Sequence, residues 1–143
     1  MIECISINKL NIIPVTGGNV MHALKANEDS FVGFGEAYFS NIEYKSIKAW
    51  KRHKTMTTNI IVPIGRIKFV FLDDRSNKKN LFQEVTVSKN NYVRITIPPL
   101  IWFGFQGLYK KESTLLNIAD IPHDPCEVET KNINEFKYNW ENI

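Results

Sequence analysis

The stretch from Tyr92 to Pro99 constrains the chain most. Val93, Ile95 and Ile97 alternate with Tyr92, Arg94 and Thr96, and Pro98-Pro99 then stops the run. Strict alternation sets three β-branched side chains on one face of a strand and polar ones on the other, a pattern that a helix cannot bury. The same grammar recurs. Thr57 to Ile64 ends in the turn sequence Pro63-Ile64-Gly65-Arg66 and hands over directly to Ile67 to Leu72. Asp73 to Asn80 is a polar loop, and Leu81 to Val87 then runs into the hairpin turn Ser88-Lys89-Asn90-Asn91. Phe31 to Phe39 carries small residues at Gly33, Gly35 and Ala37; Asn41 to Trp50 follows, and later apolar runs cover Ile101 to Phe105 and Ser113 to Ala119. Short segments at roughly 8–12-residue spacing read as an all-β sandwich or barrel. Helical potential is confined to Gly18 to Lys25 and Glu127 to Tyr138, so one or two short helices at most are expected. No repeat or linker divides the chain, which reads as one domain over residues 1–143.

Several classes fall away on composition. Nine phenylalanines and 43% apolar residues supply a core and argue against disorder. A net charge of +3 is too mild to indicate a nucleic-acid partner. No apolar run approaches the ~18–20 residues of a membrane span, and Met1-Ile2-Glu3-Cys4 lacks a basic region followed by an apolar stretch, so a cytoplasmic protein is expected. Cys4 and Cys126 lie far apart and suggest neither a zinc site nor a disulfide framework. His22, His53 and His123 sit in three separate segments without an H-x-H pair, so no metal site is expected. With no phosphate-binding loop, nucleophile elbow or dinucleotide fingerprint, nucleotide hydrolysis, serine-hydrolase and redox readings have no foothold, and as an enzyme the chain is expected to work without metal or organic cofactor.

Four motifs in one collinear order carry a resemblance. They are Ser46-Ile47-Lys48-Ala49-Trp50-Lys51-Arg52-His53, the gapless block Ile64 to Arg75, Ile97-Pro98-Pro99-Leu100-Ile101-Trp102-Phe103-Gly104-Phe105, and Leu116 to Pro125. Together they cover more than half the chain and resemble the dTDP-4-dehydrorhamnose 3,5-epimerase family of nucleotide-sugar enzymes. The resemblance implies a cupin-type double-sheet β-barrel, or jelly roll, and a homodimer formed through sheet edges. It implies a nucleotide-sugar ligand and a role in surface-polysaccharide sugar synthesis. It also marks departures. Lys51 stands where the family has its catalytic histidine, Lys48 where it has a phosphate-contacting arginine, and Phe103 where it has a second histidine. The family's catalytic tyrosine has no counterpart between Leu116 and Asp124.

Epimerisation beside a ketone needs a base for the α-proton, a stabiliser for the enolate and an acid on the opposite face. His53 is the natural base; Lys51 would serve only with a strongly lowered pKa. Alternation along the strand puts Lys51 and His53 on one face and Trp50 and Arg52 on the other. By the resemblance the first face is the barrel lumen, where the Lys51 charge would keep His53 neutral. Asp73, sharing a strand face with Phe69 and Phe71, is the expected orienter of the base. Lys48, Arg52 and Arg66 are expected near the phosphates, Asn59 against the ligand, and Trp102 stacked on a base or sugar. Tyr92 and Tyr138 are candidate phenolic acids. The alternative reading is a barrel that has lost its catalytic set and only binds a sugar nucleotide or a partner enzyme.

Overall fold

The computed structural model describes residues 2–75 and 81–141. Among these it has twelve strands and no helix: β1 Ser6–Lys9, β2 Ile12–Val15, β3 Gly18–Met21, β4 Glu36–Ile42, β5 Ile47–His53, β6 Thr58–Ile64, β7 Arg66–Leu72, β8 Phe82–Ser88, β9 Val93–Ile97, β10 Trp102–Gly107, β11 Ser113–Ala119 and β12 Val128–Thr130. Two five-stranded sheets face each other, in the orders β1-β9-β6-β11-β4 and β12-β5-β10-β7-β8, while β2 and β3 form a separate hairpin. This is the jelly roll that the motif order implies. Ser76 to Asn80, the second part of the expected polar loop, lie outside the described residues.

Side-chain alternation explains the layering. Ile60, Val62, Ile95, Ile97 and Leu115 from the first sheet meet Ile67, Phe69, Phe71, Phe103 and Phe105 from the second. Each such buried side chain contributes about 1.5–3 kcal/mol relative to exposure. The outer face of the second sheet holds another apolar cluster, built on Trp50, Val70, Leu72, Trp102 and Trp140. Residues 131–141 cover it. Trp50 anchors this segment by exchanging backbone hydrogen bonds with Lys131 and donating its indole N–H to the Ile133 carbonyl at 3.1 Å.

Two glycines shape the frame. Gly65 takes φ +88° in the turn joining β6 to β7, a conformation that strains other residues. At Gly104 a Cβ would lie 2.5 Å from the Ala49 Cβ, so its absence lets β10 approach β5 where their register shifts.

Neither expected helix forms. Gly18 to Met21 instead pairs as β3 with β2 across the turn at Gly17, whose φ is +79°. A two-turn helix has too few hydrogen bonds to compete with that hairpin. In the Glu127 to Tyr138 stretch, β12 pairs with β5, and beyond it Ile133, Phe136 and Tyr138 reach the Trp50 cluster.

Candidate functional site

His53 ends β5 on the lumen side, and its ring stacks on Phe103, with centroids 6.1 Å apart and planes 30° from parallel. The imidazole and the Glu127 carboxylate are both buried, and Nδ1 lies 2.6 Å from Oε2. The other carboxylate oxygen, Oε1, accepts the backbone N–H groups of Thr55 and Met56, each at 2.8 Å. Burial alone would raise the Glu127 pKa, but those two N–H groups and the imidazole together hold it below the usual range. An ionised Glu127 accepts only, so Nδ1 carries the proton and donates it. Nε2 is then left with its lone pair, buried and without a hydrogen-bond partner among the described residues.

Burial favours the neutral ring of His53, against the charges of Glu127 and Asp120. Burial lowers its pKa most; the Glu127 bond raises it without cancelling that effect, and the Lys51 charge lowers it again. Lys51 lies opposite Phe103 in the β5–β10 register, its ammonium 5.1 Å from the same ring that His53 covers. Burial and the neighbouring Lys48 push the Lys51 pKa down. Among the described residues no carboxylate comes within salt-bridge distance of Lys51. Where the edges of the two sheets part, a cleft of about 360 Å³ opens, lined by Ser40, Lys48, Lys51, Phe105, Thr130 and Lys131 among others. Lys48 and Lys51 bring two ammonium groups to this lining and no acid is among its residues, a setting that suits an anion, while the Lys131 ammonium lies over the outer Trp102 and Phe136 rings beside Glu135.

The first sheet supplies the facing wall. Tyr38 and Asn117 are partners in the β4–β11 register, and the Asn117 Nδ2 donates to the Tyr38 hydroxyl at 2.6 Å. The Thr58 hydroxyl in turn donates to the Asn117 Oδ1. Burial raises the Tyr38 pKa most, the Asn117 bond pulls it back, and nearby Glu36 raises it further, so the phenol stays protonated at neutral pH.

Lys51, His53 and Lys48 thus come together at the lumen and its mouth; other candidates from the sequence do not. Asp73 is no partner of His53: its carboxylate is taken by Arg75, two residues on, at 2.8 Å from both Nε and Nη2. Arg52 points outward, stacked 4.6 Å over Trp102 and paired with Glu129 and Asp74. The Trp102 indole also donates to Asp74, so this tryptophan belongs to the outer cluster. Asn59 faces away from the lumen and bonds the Ser30 carbonyl and the Thr96 hydroxyl. Arg66 starts β7, at the end opposite the Leu72–Trp102 pair that neighbours His53, and is exposed. Tyr138 packs on Trp50 and Trp140, and the Tyr92 hydroxyl donates to the His22 carbonyl. A larger cleft of about 630 Å³ lies over the outer face of the first sheet, but its one buried cation, Arg94, is already held by Glu28 and Ser30.

Sequence reasoning missed Glu127, Tyr38, Asn117 and Thr58. The one available signal for Tyr38 was alternation: Glu36, Tyr38 and Ser40 are the polar parity of β4, against Ala37 and Phe39. Among the described residues no cluster of three or more histidines, cysteines or acids is placed to hold a metal ion. No helix among them is long and apolar enough to cross a membrane.

No family model matches the chain. Among curated proteins it is similar to protein 146R of Invertebrate iridescent virus 6, described as an MSV199 domain-containing protein, with 25% identity over 113 residues. Those residues are 74% of this chain and 45% of the viral one, so the chain spans less than half the length of that relative. Solved structures are nearer. A dTDP sugar isomerase from Desulfovibrio desulfuricans G20 is 34% identical, with a TM-score of 0.92 over 99% of this chain and 93% of that one. QdtA, a sugar 3,4-ketoisomerase from Thermoanaerobacterium thermosaccharolyticum solved with TDP, is 15% identical, with a TM-score of 0.76 over 92% and 90%. The dTDP-4-dehydrorhamnose 3,5-epimerase from Elizabethkingia anophelis NUHP1 is 14% identical, with a TM-score of 0.79 over 97% and 82%. At these last two identities the likeness is one of fold.

Proposed function

The chain belongs to the family of dTDP-4-dehydrorhamnose 3,5-epimerases and related dTDP-sugar isomerases, and on that premise we propose that it moves protons next to the ketone of a 4-keto-6-deoxy sugar nucleotide. The observation that carries the reading is the His53 Nε2 lone pair, buried, unpartnered and backed by Glu127 through Nδ1. A neutral imidazole held in one tautomer is a general base matched to neutral pH.

In this scheme Nε2 takes the α-proton, and the C–H electron pair becomes the enolate C=C bond as the carbonyl pair moves onto oxygen. The Lys51 ammonium, without a carboxylate partner among the described residues, faces the negative oxygen. Tyr38 stands on the facing sheet, across a gap of roughly 10 Å between mean sheet planes, and returns a proton to the opposite face of the sugar. Lys48 at the cleft mouth receives the diphosphate. The expected second copy has an available edge: all four residues of β1 are exposed, and β1 sits at the end of its sheet with β9 as its one neighbour.

Proton NMR of dTDP-4-keto-6-deoxyglucose with the protein in heavy water tests the reading. Loss of a C3 or C5 proton signal supports it. Line broadening of the ligand without exchange would instead favour a barrel that binds and does not react.

A further inference from the structure

We infer that Asn117 is a positioning residue that fixes which way the Tyr38 hydroxyl donates, so that its proton is held for the lumen. The inference rests on the reading of Tyr38 as the acid and adds the device that arms it. A phenol can donate one hydrogen bond and accept others, so its neighbours decide where its proton points. An asparagine side chain is two-sided, offering oxygen on one branch and N–H on the other. The Thr58 hydroxyl donates to Oδ1, which commits the oxygen branch to Thr58 and turns Nδ2 towards Tyr38. Nδ2 then donates to the phenol oxygen, and the phenol proton has no acceptor on that side. Thr58 is fully buried and Asn117 is 2% exposed, so water does not reach the pair to scramble this order.

The same bond serves the transfer itself. The Tyr38 O–H bond breaks with its electron pair staying on oxygen, and the proton goes to the enolate α-carbon. The C=C pair forms the new C–H bond while the enolate oxygen's pair restores the carbonyl. The amide N–H already aimed at the phenol oxygen then stabilises the phenolate, which regains a proton from solvent because Tyr38 is 39% exposed.

The experiment compares Asn117→Asp with wild type on dTDP-4-keto-6-deoxyglucose in heavy water, following α-deuterium incorporation and epimer formation separately, with dTDP affinity by calorimetry. A carboxylate only accepts, so the one introduced by Asn117→Asp would draw the Tyr38 proton out of the lumen. Epimer formation is expected to fall about a hundredfold, the range of a lost general acid. Deuterium incorporation through His53 should fall less than threefold and dTDP affinity less than twofold. Thr58→Val, which adds no charge, should produce the same split at about tenfold and guards against misfolding of the aspartate variant. Parallel loss of both readouts, or loss of neither, would overturn the inference. Wild-type protein that incorporates deuterium but forms no epimer would overturn it while leaving the His53 base in place. Wild-type protein with neither exchange nor dTDP binding would overturn the underlying reading of the site.

Discussion

The Glu127 carboxylate reaches the His53 ring at 2.6 Å from 74 positions along the chain, and both of its oxygens are committed. Oε1 is fixed by two backbone N–H donors and Oε2 by Nδ1. A glutamine at this position must keep its oxygen on the Thr55 and Met56 N–H groups, which turns its NH₂ towards Nδ1. Nδ1 would then have to accept, and the proton would move to Nε2. Glu127→Gln is therefore expected to invert the tautomer and lower α-proton exchange by about 10³–10⁴-fold, the scale set by wrong-tautomer variants of other histidine bases. Nitrogen NMR of the ring reads the tautomer, and deuterium incorporation reads the rate.

With His53 as the proposed base, the acid limb of the exchange reaction is set by its pKa. Burial and Lys51 lower its pKa and Glu127 and Asp120 only partly restore it, so the neutral, basic form persists below pH 6.5. The kcat/KM profile should lose activity on acidification with a midpoint under 6.5, and Lys51→Met should move that midpoint upward. Stability carries the same sign. The unfolded chain takes up the histidine proton first, so the contribution of a neutral His53 is complete above 6.5 and declines as pH falls from there towards the folded value. Denaturant midpoints across this window check it.

The lysines divide by depth. Lys51→Met should slow exchange by about 10²–10³-fold, as loss of an oxyanion donor does, with little change in dTDP affinity. Lys48→Met should weaken dTDP binding about tenfold, close to 1.4 kcal/mol, and flatten its salt dependence. Calorimetry at two ionic strengths separates these outcomes.

Arg94 should matter for stability and not for exchange. Its guanidinium is 2% exposed on the outer side of the first sheet and holds Glu28, Ser30 and the Ala23 carbonyl. Arg94→Met is expected to cost about 1–3 kcal/mol, less than a fully buried pair because Glu28 can turn towards water. Urea unfolding gives the loss, and an unchanged exchange rate would confirm that this face is remote from the chemistry.

The sequence was most readable where structure is local. The alternation of Tyr92 to Ile97 and its proline stop mark β9 to within one residue, and Ser113 to Ala119 is β11 from end to end. On β5, alternation alone puts Trp50 and Arg52 in the outer cluster and Lys51 and His53 over Phe103. Asp73 shares a strand face with Phe69 and Phe71, which marks it as the expected orienter, but Arg75 two residues away captures it first. Glu127 carries no local signature: it sits in an irregular stretch, and its value arises only from tertiary contact. Tyr38 was hidden for a related reason, since its role depends on a partner strand that places Asn117 beside it.

The span between His53 and Glu127 has a consequence for how the molecule is made. A ribosome delivers the imidazole long before the carboxylate, and domains assemble as their chain emerges. Until residue 127 has been synthesised and β12 has zipped onto β5, nothing holds the ring in one tautomer. An unfinished chain therefore displays a barrel wall whose histidine lacks its carboxylate, and the proposed base is complete only when the closing segment is laid down.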